Sequence, residues 1–495
     1  MAAPDTSIVI LAAGKGTRMR SDLAKVLHRA GGRPLLEHVI RACQPLKPAQ
    51  ILVVVGHQAD DVAALAESLG GQTPVQTIVQ QPQRGTGHAM QIARRAIRKS
   101  AKLAVVLPGD APLLGTATLA ALLDTHRRGE AAATILSAEL ADASGYGRIV
   151  RDAEGRVQAI VEDKALAPEQ RDIREVNSSM YCFTLEKLWP LLAALRPDNA
   201  HRELYLTDAI AMLRQRNERV LAYVAPDANE VMGCNTRAHL ADADRVLRAR
   251  KSAELMDSGV TIYLPGTVVI DADVAVGADT TIEPGVQLLG KTRVGPRCSI
   301  GTGSVLIDVR VDDDATILPQ CHLVGARVGP RAHVGPFARL RPGTDLRAGA
   351  HVGSFVELKK TILHEGAKAP HLSYLGDATI GSETNVGAGT ITCNYDGFAK
   401  HETRIGSRVF IGSDTALVAP VRIGDGAYVA AGSVITDNIP GDALGIARGR
   451  QVNKPGWARA RRLALKNAKQ DKAPTRSKPK SHRKPARRQK PKSRR

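Results

Sequence analysis

The residues best suited to chemistry near the start of the chain are Leu11-Ala12-Ala13-Gly14-Lys15-Gly16-Thr17-Arg18-Met19 and, six residues on, Lys25. Closely spaced glycines after an aliphatic run let backbone N–H groups approach a polyphosphate, and Arg18 and Lys25 can neutralise its charge. The spacing is not that of a P-loop, because the Lys-Ser/Thr pair is missing. A bare Gly-x-Gly turn also serves as a plain strand-to-helix connection. Leu107-Pro108-Gly109-Asp110 ends another aliphatic run, where an acid either holds a cation or caps a turn. In the second half stand Arg339, Arg341, Lys359, Lys360, His371, Tyr374 and the turn Asn394-Tyr395-Asp396-Gly397. Four cations in one stretch suit a phosphate, and an imidazole that titrates near neutral pH suits proton removal from an amine. The same residues also read as surface charge, a structural histidine and a good turn sequence.

Two kinds of element must position these groups. Over residues 1–235, short aliphatic strands (7–11, 50–55, 102–107, 132–137) alternate with helical stretches (34–43, 60–69, 87–98), the pattern of an α/β, Rossmann-like domain with a largely parallel sheet. Ligands of such sheets collect beyond the C-terminal ends of the strands. Residues 236–258 have a helical pattern carried by His239, Leu240, Val246, Leu247 and Leu255, and read as a linker helix. From 259 to 457 the period is six, through Ile270, Val276, Ile282, Leu288, Val294 and Ile300, then Val328 to Leu358, then Ile405 to Ile435. Six fits neither an α-helix nor a simple alternating strand, but it is the hexapeptide signature of a parallel β-helix. The ladder breaks between Leu358 and Ile380 and again between Thr392 and Ile405, and a repetitive scaffold places its chemistry at such irregularities.

The full string Leu11-Ala12-Ala13-Gly14-x-Gly16-Thr17-Arg18-Met19, with Lys25-Val26-Leu27, resembles the nucleotidyltransferases that join a sugar 1-phosphate to a nucleoside triphosphate. The strings Arg339-Leu340-Arg341-Pro342-Gly343, Val356-Glu357-Leu358-Lys359-Lys360, His371-Leu372-Ser373-Tyr374-Leu375-Gly376-Asp377 and the run from Gly387 to Gly397 resemble the bifunctional glucosamine-1-phosphate acetyltransferase and N-acetylglucosamine-1-phosphate uridylyltransferase family. That likeness spans nearly everything from Ile8 to Trp457, in the same domain order. Pro108 and Ser178-Ser179 depart from it, standing where the family commonly has an aromatic residue and Thr-Gly.

The resemblance implies that Leu11, Ala12, Ala13, Gly14, Gln80, Gly85 and Thr86 hold the uridine nucleotide, and that Gly147, Glu162 and Asn177 grip the N-acetylated sugar. Asp110 and Asn235 are expected to bind Mg2+, with Lys25 and Arg18 carrying uridylyl transfer by positioning and charge neutralisation. In the second half it implies that Arg341 and Lys359 bind the sugar phosphate, that Tyr374 and Asn385 complete the pocket, and that His371 is the general base. Acetyl-CoA is expected at Ala388, Asn394, Tyr395, Ser413, Ala431 and Arg448. The implied solenoid is left-handed and the implied assembly a homotrimer with acetyltransferase sites between subunits; periodicity alone indicates neither. The implied product, UDP-N-acetylglucosamine, feeds bacterial peptidoglycan and lipid A synthesis. Two rival readings stay open: a single-function nucleotidyltransferase whose β-helix only oligomerises it, and a polyanion-binding protein.

Composition bounds these readings. Of the formal charge of +20, residues 458–495 supply +16, with seventeen Lys or Arg against Asp471 alone, so the body is close to neutral. That stretch is nearly free of apolar residues after Leu465 and is expected to be a disordered basic tail that binds polyanions weakly. With no aromatic residue after Trp457 to stack bases, specific nucleic-acid recognition is not expected. No apolar run is long enough to span a membrane, a secretory signal is not expected before the first strand, and the six scattered cysteines show no CxxC spacing. They read as reduced thiols of a cytoplasmic protein.

Overall fold

A computed structural model describes residues 3–198 and 202–471. In the α/β part, β1 (Thr6–Ala12), β2 (Gln50–Val55), β3 (Val75–Val79), β4 (Leu103–Pro108), β5 (Ala133–Glu139), β6 (Arg148–Arg151), β7 (Val157–Val161), β8 (Glu175–Thr184) and β9 (Val220–Val224) form one sheet. The main order is β9-β5-β8-β4-β1-β2-β3, parallel except that β8 runs antiparallel to β4 and β5. Side chains of β1 alternate: Ile8 and Ile10 enter a core with residues of α1 (Leu35–Cys43), α2 (Ala59–Ser68) and α4 (Thr116–Arg128), while Val9 enters the opposite core with α3 (Thr86–Ala93) and α5 (Leu185–Leu192). Both faces of the sheet are therefore covered, as near-continuous aliphatic strands require. Helix α3 ends at Ala93, short of the expected 98, and the chain continues in turns.

The expected linker is α7 (Arg237–Asp257), capped by the Thr236 hydroxyl, which accepts from the His239 N–H at 3.2 Å. Its residues Leu240, Ala243, Val246 and Leu247 pack with Ala30, Leu35, Leu113 and Cys234, and Leu255 joins the solenoid core. From Thr261 to Gly445 the chain winds as a left-handed parallel β-helix of short strands, one stacked face forming an eleven-stranded sheet and the other two a continuous curled sheet. The hexad aliphatics point inward: Ile270, Ile282, Leu288, Ile300, Val328, Leu340 and Leu358 are fully buried. Where the period fails after Leu358, the backbone does not loop out; strands lengthen instead, Glu357–Leu363 and Tyr374–Ile380, pairing across a corner where Thr361 is buried. The second break is a true excursion, closed by an isolated bridge between Tyr395 and Lys400.

The compact body ends at Ile446, and residues from Ala447 onward form a separate unit. Within it, 457–471 corrects the expectation of disorder from 458: α8 (Trp457–Asp471) is helical, because Ala, Leu, Arg and Lys are strong helix formers even when few are apolar enough to build a core. The rest of the expected tail, 472–495, lies outside the described residues.

Candidate active sites

The first site assembles at the C-terminal ends of β1 and β4, where parallel strands stop and turns are free to carry function. Gly109 N–H donates to Leu11 O at 2.9 Å and Cys234 N–H to Asp110 O at 2.9 Å, fixing three segments side by side. Lys25 Nζ sits 2.5 Å from Asp110 Oδ2 and 3.2 Å from Asn235 Oδ1, which also accepts from Arg18 at 3.0 Å. Gly16 adopts φ +61°, and a Cβ there would lie 2.7 Å from Lys25 Cβ, so glycine is what lets the lysine pack against the loop. The Lys25, Asp110, Asn235 and Arg18 side chains expected to act together thus share one place.

Two hard oxygen donors, Asp110 Oδ2 and Asn235 Oδ1, converge on a single cationic point. Such a donor pair fits Mg2+, which typically takes one or two carboxylates and leaves the remaining positions to water and substrate phosphates. No group of three or more His, Cys, Asp or Glu poised for a metal occurs among the described residues.

Flanking this point, Ala13 O accepts from Gln83 at 2.7 Å, and Gln80 donates to Gly85 O at 3.0 Å. Thr86 Oγ1 accepts from Leu206 N–H at 3.0 Å, tying the expected nucleotide loop to the chain that leads into α6 (Asp208–Gln215). On the sugar side, Asn177 N–H donates to Gly147 O at 2.8 Å, and a Cβ on Gly147 would lie 3.6 Å from a Glu162 carboxylate oxygen. Burial, with Asp208 and Asp163 nearby, pushes the Glu162 carboxyl above its usual range. Burial first, and then the Asp110 carboxylate, push the Tyr146 hydroxyl above its usual range. Asp208 helps to raise Glu162, and Glu162 in turn helps to raise the Tyr205 hydroxyl after burial and Glu203, so both act on the same local field although the sequence reading did not single them out.

The second site is spread over the solenoid. Backbone bonds stack Arg341 on Lys359, and Lys359 on Gly376, in successive coils. Arg341 donates to Glu357 at 3.0 Å; Lys359 lies 3.7 Å from Asp377, whose carboxylate also accepts from Asn394 at 2.5 Å. Tyr374 pairs with Glu357 and folds its hydroxyl over Gly376, where a Cβ would come within 2.5 Å of it. Lys400, which the sequence reading missed, stands against Lys359; Lys359 foremost, then desolvation and lastly Lys360, hold its ammonium below the usual lysine range. The available signal was its place inside the second break of the hexad ladder.

Around the corner from this cationic patch, Ser354 and His371 are stacked partners. Gly389 N–H donates to Leu372 O, Asp414 N–H to Ala388 O and Gly432 N–H to Ser413 O, so His371, Ala388, Ser413 and Ala431 form one file climbing about 4.8 Å per coil. The imidazole of His371 is exposed and takes no hydrogen bond from other described residues. Asn385 stacks next to Lys368 on the eleven-stranded face, apart from Arg341, Lys359 and Tyr374 on the curled sheet. Tyr395 is exposed on the excursion, its hydroxyl bonded to Gly397 O at 2.6 Å. Arg448 belongs to the separate C-terminal unit.

Comparison with known proteins adds context to both sites. A MobA-like NTP transferase domain matches residues 8–207, and a bacterial transferase hexapeptide (six repeats) matches 402–437. The chain is 48% identical over 467 residues to the bifunctional protein GlmU of Koribacter versatilis, covering 94% of this chain and 98% of that one. It is 46% identical to the same-named protein of Trichlorobacter lovleyi (92% and 99% covered) and 45% identical to that of Corynebacterium glutamicum (93% and 96%). A UDP-glucose pyrophosphorylase structure aligns with half of the chain at 15% identity and a TM-score of 0.42, too loose a likeness to carry an argument.

Proposed function

The chain belongs to the bifunctional GlmU protein family, and from that premise we propose which of its residues carry each half-reaction. The enzyme acetylates glucosamine 1-phosphate with acetyl-CoA, then transfers UMP from UTP to N-acetylglucosamine 1-phosphate, giving UDP-N-acetylglucosamine and pyrophosphate. In acetyl transfer, His371 takes the proton from the 2-amino group as its lone pair attacks the thioester carbonyl; the C–S bond breaks and CoA thiol leaves. Arg341, Lys359 and Lys400 receive the sugar phosphate, exchanging Glu357 and Asp377 for it, and Tyr374 and Asn385 close the pocket. The small side chains of Ala388, Ser413 and Ala431, in file above His371, leave room for the extended arm of acetyl-CoA, with Asn394 and Tyr395 as its further contacts.

In uridylyl transfer, a phosphate oxygen of the sugar attacks the α-phosphorus in line and pyrophosphate departs, so no side-chain nucleophile is needed. Arg18 and Lys25 neutralise the triphosphate; Leu11 to Gly14, Gln80, Gly85 and Thr86 seat the nucleotide; Gly147, Glu162 and Asn177 seat the sugar. Asp110 and Asn235 would hold Mg2+, which when bound supplies further charge neutralisation at the phosphates. The uridylyltransferase part is 1–235, the arm 236–258 and the acetyltransferase part 259–457. We place the enzyme in the cytoplasm, in keeping with six free cysteines and, among described residues, no helix long and apolar enough to cross a membrane.

The assembly is a homotrimer. An exposed file of Phe337, Phe355 and Leu372 runs up the corner beside His371, with the two rings stacked at 5.3 Å, and one chain alone leaves it facing water. The observation that carries the two-site reading is the pair of separate polar clusters on one chain, around Lys25 and around Lys359 and His371. Its test is product analysis with glucosamine 1-phosphate, acetyl-CoA, UTP and Mg2+. Wild type is expected to yield UDP-N-acetylglucosamine, His371→Ala to stop before acetylation, and Lys25→Ala to accumulate N-acetylglucosamine 1-phosphate. Nucleotide sugar from pre-acetylated substrate alone would reduce the β-helix to a scaffold.

A further inference from the structure

Gln80 is the first residue beyond β3; its N–H donates to Val55 O at 2.8 Å, at the end of β2, and the residue is only 5% exposed. The turn that it opens is tied to the phosphate loop by Gln83, which donates to Ala13 O at 2.7 Å. Gln80 Nε2 donates to Gly85 O at 3.0 Å and meets His88 Nδ1 at 3.2 Å. Gly85 O can only accept, and it already takes the Ala89 N–H at 3.1 Å in the first turn of α3. Turning the amide over would set Oε1 against that carbonyl, so the hydrogen-bond network fixes its orientation. With one amide hydrogen on Gly85 O, the other falls on Nδ1, which therefore accepts: the imidazole is neutral and carries its proton on Nε2. Burial, and then Arg84 and Arg95, push the His88 imidazole below its usual range, in the same direction. Both amide hydrogens are thus consumed within the protein. Among the described residues nothing donates to Gln80 Oε1, which nonetheless reaches solvent.

We infer that His88 is a positioning residue for nucleotide choice: its Nδ1 locks the Gln80 amide so that Oε1, and not the amide nitrogen, faces the base. The inference rests on the reading that Gln80 helps to seat the uridine nucleotide. Once N1 of uracil carries the ribose, N3–H is the only N–H left on the ring, so an acceptor aimed at the base is satisfied there alone. Cytosine presents a lone pair at N3. In the same pose two acceptors then face each other, and a buried oxygen goes unpaired. A glutamine held by one bond could turn its amide to suit either base. Held by Gly85 O and His88 Nδ1 together, it offers one face only, and the neutral tautomer of His88 is what makes the second anchor possible.

The test is uridylyl transfer to N-acetylglucosamine 1-phosphate by the full-length enzyme with Mg2+, using UTP and CTP in turn, for wild type, His88→Leu, His88→Asn and Gln80→Ala. His88→Leu leaves one amide hydrogen unpaired and frees the amide to turn. It is expected to lower the UTP-over-CTP ratio of kcat/KM by about five- to tenfold, the scale of one hydrogen bond. The loss is expected in KM for UTP, with kcat and KM for the sugar phosphate near wild type, which also reports an intact fold. His88→Asn, whose side-chain oxygen can stand where Nδ1 stood, is expected to restore most of the ratio, as a packing role would not. Gln80→Ala is expected to lower the ratio at least as far as His88→Leu. An unchanged ratio in His88→Leu, or equal losses in His88→Leu and His88→Asn, while Gln80→Ala still lowers it, overturns the inference and leaves the reading of Gln80 standing. A ratio unchanged in Gln80→Ala, or a wild type that takes both nucleotides equally, overturns both.

Discussion

At the residue scale, Ser179 shows how a departure from family pattern acquires a physical cost. It sits at φ +62° in a bulge of β8 between Asn177 and Met180, with its N–H on Asn177 Oδ1 at 3.2 Å. The left-handed region costs a non-glycine residue roughly 1 kcal/mol, and the glycine common in the family would avoid it. Ser179 is exposed, so removing its side chain leaves no cavity. Ser179→Gly is therefore expected to stabilise the enzyme by about 0.5–1 kcal/mol, read as a raised denaturant midpoint with unchanged slope. A lower midpoint would mean that the Ser179 hydroxyl does more for the fold than its backbone costs. The neighbouring Ser178 is of another kind: its hydroxyl accepts from Met180 N–H at 3.1 Å and donates to Leu136 O at 2.5 Å, so it closes the bulge from inside.

At the element scale, the short hairpin of Arg29–Ala30 and Arg33–Pro34 ties the first site to the solenoid. It follows Lys25 by a few residues and is clamped at its tip. Gly31 N–H donates to Asp244 at 2.7 Å, Ala272 N–H to Gly31 O at 2.9 Å, and a Cβ at Gly32 would fall on the Asp271 carboxylate. Asp271 is itself held by Arg248 at 2.9 Å and by Gly290 N–H at 2.8 Å. Loosening this clamp frees the segment that carries Lys25. Asp271→Ala is expected to lower kcat of uridylyl transfer by roughly ten- to a hundredfold, since a misplacement of about 1 Å can cost up to about a hundredfold, while acetyl transfer is unchanged. Equal loss of both activities would instead indicate general unfolding of the solenoid's first coil.

At the scale of the whole molecule, the residues proposed for acetyl transfer lie on two faces of one solenoid, with Arg341, Lys359 and Tyr374 on the curled sheet and Asn385 on the eleven-stranded face. A trimer whose sites draw one face from each of two neighbours predicts complementation. Lys359→Ala and Asn385→Ala chains, each inactive alone, are expected on co-expression to regain up to about a quarter of wild-type acetyl transfer if subunits mix at random around a closed ring. No recovery from mixed assemblies would place both faces of every site on the same chain.

The sequence by itself determined the solenoid, since a period of six leaves only one inward position per short strand, and Ile282, Ile300 and Ile317 could fill no other place. It also determined the layered α/β part and the helical pattern over 236–258, and it singled out local strings such as Leu11 to Met19, whose chemistry travels with them wherever the chain goes. Only the tertiary structure decided which distant groups meet. Lys25, Asp110 and Asn235 are separated by up to 210 residues yet share one cation point, and Lys400 reaches Lys359 only because the excursion folds back on the coil. Lengthened strands where the hexad fails, the left-handed backbone at Ser179 and the helix at Trp457–Asp471 were likewise beyond periodicity. The reason is common to all of them: periodicity records which side of an element is buried, whereas contact between elements depends on register and on where the chain turns.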